Sequence, residues 1–117
     1  MTGPTRKRRP TVTEQHLEHR FTDYAQRRGC VAFKLVLERA RGFPDRTVLC
    51  PGGRVVFFEF KRPDGAGVLS RQQKRILKVL RGLGFTAHVC DDFDDACSQL
   101  DDFLAAQLPE TRHRIRP

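Results

Sequence analysis

Residues 54–61, Arg-Val-Val-Phe-Phe-Glu-Phe-Lys, constrain this chain more than any other stretch. The run is rich in β-branched and aromatic residues and reads as a strand. Side chains alternate faces along a strand, so Val55, Phe57, Glu59 and Lys61 share one face. Val56, Phe58 and Phe60 share the other. Both faces are therefore apolar, which calls for cover on both sides of the sheet. One face ends in an acid and an amine. Charges there are costly unless they are paired or bound to metal.

The rest of the chain supplies that cover. Thr13 reads as an N-cap, Leu17, Phe21, Tyr24 and Ala25 recur at helical spacing, and Gly29 stops a first helix over 14–28. Residues 30–37 read as a strand and 39–44 as a loop. Residues 45–50 form a strand that turns through Pro51, Gly52 and Gly53 into the strand at 54–61. Ser70 caps a helix over 71–81, whose apolar residues are Ile76, Leu77, Val79 and Leu80. Residues 85–90 are a strand. A final helix runs from Asp94 through Leu108, with Asp91, Asp92, Asp94 and Asp95 at its positive end. The order α-β-β-β-α-β-α predicts an α/β sandwich with a mixed sheet flanked by helices.

With 117 residues the chain suffices for one domain. That domain is expected over 13–108, between a basic arm at 1–12 and a basic tail at 109–117. The arm carries Arg6, Lys7, Arg8 and Arg9 but no apolar segment follows, so it does not read as a secretory signal, and a cytoplasmic protein is expected. No apolar run is long enough to span a bilayer. The four cysteines, Cys30, Cys50, Cys90 and Cys97, contain no CxxC pair, which argues against a structural zinc site and a disulfide framework. Cys30, Cys50 and Cys90 sit among apolar residues and read as core. The formal net charge of +8 points to a polyanionic partner.

Asp45 turns the acid and amine into a candidate site. Gly52 lies seven residues after Asp45 and seven before Glu59. A tight hairpin centred there brings both carboxylates to its open end. Two such oxygens, with the backbone carbonyl of Phe60 as a third, suit Mg²⁺ or Mn²⁺. Such a metal would polarise a phosphoryl oxygen. Lys61 would orient or deprotonate the attacking water and stabilise developing negative charge. Lys34, Arg39, Arg41 and Arg46 cluster on the segments leading to Asp45 and read as phosphate contacts. A Glu and a Lys two apart on a strand are, by themselves, more often a surface pair.

Three stretches together say more. Arg41-Gly42-Phe43-Pro44-Asp45-Arg46, Phe57-Phe58-Glu59-Phe60-Lys61 and Leu69-Ser70-Arg71-Gln72-Gln73 resemble the VRR-NUC family, the virus-type replication-repair branch of the PD-(D/E)xK nucleases. The likeness runs from about residue 14 to about residue 100. It implies a restriction-endonuclease-like core and a divalent-metal nuclease. For small members it implies a homodimer acting on branched DNA such as Holliday junctions. By position, Asp45 and Glu59 match the metal ligands, Lys61 the catalytic lysine, and Gln73 a glutamine near the attacked phosphate or its water. A glutamate on the first helix is also implied. Glu14 and Glu18 lie one turn apart on one face, and Glu18, 11 residues before Gly29, fits a mid-helix position better. Phe43 departs from the pattern with a large aromatic before Pro44, which affects loop packing rather than Asp45.

Two rival readings stand beside the enzyme. One is a basic module that binds nucleic acid without cutting it. The intact Asp45, Glu59 and Lys61 set speaks against it, because carboxylates repel phosphate unless a metal intervenes. The other is a protein-interaction domain that uses the acidic stretch at 91–95. His16 and His19, at i and i+3, read as surface residues rather than metal ligands.

Overall fold

The computed structural model describes residues 13–39, 41–62 and 67–106; the arm at 1–12 and the tail at 109–117 lie outside them. The elements run α1 (Glu14–Arg27), β1 (Val31–Phe33), β2 (Arg46–Cys50), β3 (Arg54–Phe60), α2 (Arg71–Gly82), β4 (Thr86–Cys90) and α3 (Phe93–Ala105). This is the expected order. The four strands form one sheet in the order β1-β2-β3-β4. The first two pairings are antiparallel and β3–β4 is parallel, so the sheet is mixed. A parallel pair needs a crossover, and α2 provides it.

β3 is covered on both sides, as its composition requires. Val56, Phe58 and Phe60 face α1 and α3 and pack with Leu17, Phe21, Ala25, Ala96 and Leu100. Phe57 faces α2 and packs with Leu77, Leu80 and Ala87. Phe21 is fully buried, its ring 4.4 Å from Phe58 and 5.3 Å from Phe60. A side chain so placed contributes about 2–3 kcal/mol of burial, and each aromatic pair adds about 0.5–1.5 kcal/mol. Tyr24 donates to Asp101 at 2.6 Å and ties α1 to α3. All four cysteines are free and buried, and burial pushes the thiols of Cys50 and Cys90 up to about 12, far from reactivity.

Most bounds move by one residue, with Asp45, Lys61 and Phe85 falling just outside the strands expected to include them, and two elements call for comment. The strand expected over 30–37 is only three residues long. Among the described residues β1 is an edge strand paired with β2 alone, and its ladder ends at Phe33 opposite Thr47. The chain then leaves the sheet, and Leu35, Val36 and Leu37 are exposed, Val36 at 86%. Apolar composition alone does not extend a ladder past the point where the neighbouring strand lies alongside. α3 begins one residue earlier than expected, capped by the Asp92 carboxylate, and its description ends at Ala105. Among the described residues, no helix is long and apolar enough to cross a membrane.

Candidate active site

The β2–β3 register is centred on Gly52: Cys50 lies opposite Arg54 and Arg46 opposite Phe58. Asp45 sits one step outside β2, level with Glu59. Because β2 stops at Arg46, the Phe60 N–H has no ladder partner on that side. The Asp45 carboxylate accepts it at 2.8 Å. Lys61 N–H bonds to Cys90 on the other side at 2.9 Å, so the end of β3 is held from both edges. Pro44, directly before Asp45, is fully buried, and Phe43 packs edge-on against Phe57 at 5.5 Å. The aromatic departure noted in the sequence thus anchors the loop to the α2 side of the sheet.

Glu59 is only 2% exposed. Its Oε2 accepts from Gln73 Nε2 at 2.7 Å and lies 3.5 Å from Lys61 Nζ. Its Oε1 is buried without a hydrogen-bond partner. Burial first, then the neighbouring Asp45 charge, pushes the Glu59 carboxyl up to about 7, against a downward pull from Lys61. Gln73 arrives from α2. Its Oε1 accepts from Lys61 Nζ at 3.3 Å and from the Ser70 N–H at 2.8 Å, while Ser70 Oγ accepts from the Gln73 N–H. Ser70 and Gln73 form a capping box. One amide therefore fixes the start of α2 and also bridges Glu59 and Lys61. The S-x-x-Q spacing was the legible sign of that box.

The two helix glutamates part company. Glu18 is buried against Arg46 at 2.6 Å, with Lys34 Nζ 3.8 Å away. Glu14 lies near the stem of Lys61: a Cβ on Gly67 would stand 3.2 Å from Lys61 Cδ and 3.4 Å from Glu14 Oε2. The cationic group at 34–46 also divides. Arg46 and Lys34 serve Glu18, whereas Arg39 and Arg41 line a pocket of about 360 Å³ together with Glu38, Gln72, Arg75 and Ile76. Sequence proximity had grouped these four cations, and it carried no sign of the Glu18 ion pairs or of Arg75.

Asp45, Glu59 and the Phe60 carbonyl are the groups that the sequence reading would offer to a divalent cation. Among the described residues, no group of three or more His, Cys, Asp or Glu side chains is arranged to hold a metal. Mg²⁺ needs no such group, being commonly held by one or two carboxylates plus water and phosphate oxygens. The buried, unpartnered Glu59 Oε1 and the mutual repulsion of the two carboxylates are what a cation between them would relieve. The residues fit the ion.

The raised Glu59 carboxyl has a measurable consequence for the metal-free protein. Its folded value of about 7 lies above the ordinary 4.5, so the proton-bound form is favoured by folding. The stability it contributes is full below about pH 4.5 and is lost as pH rises through about 7. The loss is at most about 3 kcal/mol. We expect wild type in EDTA to lose stability relative to Glu59→Gln across that window in thermal melts. A flat difference between the two would show that Glu59 titrates normally.

No family model matches the chain. A protein described as "Putative nuclease p44", from Acyrthosiphon pisum secondary endosymbiont phage 1, is 35% identical over 52 residues. That match spans 44% of this chain and 56% of the relative, so the chain covers about half of the relative's length. A solved structure titled "VRR_NUC domain" superposes with a TM-score of 0.70 at 22% identity. The superposition covers 77% of this chain and 96% of that one. The fold is therefore shared almost from end to end of that domain.

Proposed function

We propose that this chain, which has the VRR-NUC form of the PD-(D/E)xK nuclease fold, is a divalent-metal-dependent DNA endonuclease selective for branched substrates such as Holliday junctions. The observation that carries the reading is the Asp45 carboxylate on the Phe60 N–H beside buried Glu59, with Lys61 3.5 Å from that acid. In this reading Asp45, Glu59 and the Phe60 carbonyl would hold Mg²⁺ or Mn²⁺. When bound, the cation supplies Lewis acidity toward a phosphoryl oxygen. Lys61 orients the attacking water and balances charge building on the phosphate. Water oxygen forms the new P–O bond, the ester P–O bond breaks, and the water proton passes to the departing alcohol. Gln73 holds Glu59 and Lys61 in place.

Symmetric cutting of two strands calls for two sites, and hence a homodimer. The exposed apolar residues Val31, Phe33, Val36 and Leu49 around the β1 edge favour a self-association surface there. Sedimentation should show a dimer at micromolar concentration that Phe33→Glu shifts to monomer. A monomeric wild type would remove the two-site reading. An intracellular nuclease would meet its DNA in the cytoplasm.

The decisive assay offers labelled four-way junction, flap, duplex and single-stranded DNA with Mg²⁺, Mn²⁺ or EDTA. We expect cutting with either metal, none in EDTA, and the junction cut fastest. Tight binding without cutting in either metal would leave the binding module instead.

A further inference from the structure

The face of the sheet toward which Glu59, Lys61 and Gln73 converge is covered by α2, and the outer side of α2 has an unusual composition. Arg71, Lys74, Arg75 and Lys78 are all exposed. At 100° per residue these four fall within an arc of about 100°. Leu77, Leu80 and Gln73 lie on the opposite side, so the stripe points directly away from the core. α2 contains no acidic residue.

A merely solvated helix face usually mixes signs or pairs its charges one turn apart. Here 71/74, 71/75, 74/78 and 75/78 are like-charged neighbours, which oppose helix formation. Arg71 and Lys74 also sit in the first turns, where the helix dipole disfavours cations. Among the described residues, none of the four is ion-paired to a carboxylate. The other side of the sheet contrasts with this: α3 has Asp94 and Asp95 in its first turn and no basic residue in its last. Arg75 further shares the pocket of Arg39 and Arg41, next to the loop that delivers Asp45; one acid, Glu38, lines it too.

We propose that this stripe, continued by Arg39 and Arg41, is the track on which the sugar-phosphate backbone of a duplex arm lies while the scissile strand reaches Asp45 and Glu59. The proposal rests on the nuclease reading for its orientation toward the site. α2 spans about 18 Å, enough to follow several phosphates. α2 carries no aromatic residue on which unpaired bases would stack, so the occupant is duplex rather than single strand. Recognition is of charge and spacing, independent of base sequence.

The test measures binding to a short labelled duplex in EDTA, where nothing is cut, as a function of salt. Arg75→Ala and Lys78→Ala should each reduce the slope of log affinity against log salt by about 0.9, and the double variant by about 1.8. Single-stranded DNA of the same sequence should lose less. Arg27→Ala, exposed at the end of α1 on the other face, should change nothing. Because the replacements remove like-charge repulsion and favour helix, the α2 variants should melt no lower than wild type. Unchanged slopes, an equal loss in Arg27→Ala, an equal loss for single strands, or a lowered melting temperature would each overturn the proposal. Cleavage by wild type in Mg²⁺ is scored separately. A wild type that cuts while the slopes stay fixed overturns the track alone. Lowered slopes without any cutting would overturn the nuclease reading alone.

Discussion

Lys61→Ala is expected to slow DNA cleavage by about 10²–10⁴-fold, the range lost with a positioned proton-transfer or charge-stabilising group. Its melting temperature near neutral pH should stay close to that of wild type. Lys61 is partly exposed, and the group it leaves behind, Glu59, already holds a proton up to about pH 7. A buried carboxyl that can remain neutral does not become an uncompensated charge. Asp45→Ala should abolish cutting as completely, but by a different route. It removes one of two carboxylates and the acceptor of the Phe60 N–H, so Mn²⁺ binding, followed by titration calorimetry, should weaken sharply. Lys61→Ala should bind Mn²⁺ at least as well as wild type, since a competing cation has gone. Activity lost in both with metal binding lost only in Asp45→Ala is the pattern expected of a ligand and a charge-balancing amine. Cutting retained in Lys61→Ala would remove the lysine from the chemistry.

Much of this arrangement was legible because it depends on two short-range regularities. Strand alternation assigned Val56, Phe58 and Phe60 to one face and Phe57 and Glu59 to the other, and the two core clusters divide that way. The symmetry of Asp45 and Glu59 about Gly52 predicted their meeting, and the register has the same centre. What escaped depends on contacts between segments far apart in sequence. Residues 34–37 look like a strand, yet among the described residues no strand pairs with them. Glu18 reads as a mid-helix acid with no local sign that Arg46, 28 residues on, sits at 2.6 Å. Arg75 gave no hint that it meets Arg39 and Arg41 in one pocket. Gln73 is intermediate. Its capping box was readable from spacing, but its reach to Glu59 depends on where α2 docks.

Gly42→Ala should cost about 2–6 kcal/mol of stability and most of the cleavage activity, although Gly42 has no side chain to offer either. Two independent effects add. Its φ is +85°, a left-handed conformation in which a Cβ is strained by about 1–3 kcal/mol. A Cβ there would also stand 2.7 Å from the Gln72 carbonyl carbon and 2.8 Å from the Gln73 nitrogen. Those are backbone atoms in the first turn of α2 and cannot rotate away, so the loop and the helix must separate, at a further cost of about 1–3 kcal/mol. That separation falls at the site itself. On one side of the contact is the loop ending in Asp45, and on the other is the helix that aims Gln73 at Glu59 and Lys61. Displacement of about 1 Å between catalytic groups costs on the order of 100-fold in rate. Thermal melting and the junction-cleavage assay read the two effects separately. For a domain of this size the stability loss corresponds to a fall in melting temperature of roughly 10–30 °C. Assayed well below its own melting temperature, the variant should still be slow, because the misplacement belongs to the folded state. Full activity in folded Gly42→Ala would mean that the loop and α2 can part without moving Asp45 relative to Glu59, and that the β2–β3 hairpin alone holds the two carboxylates together.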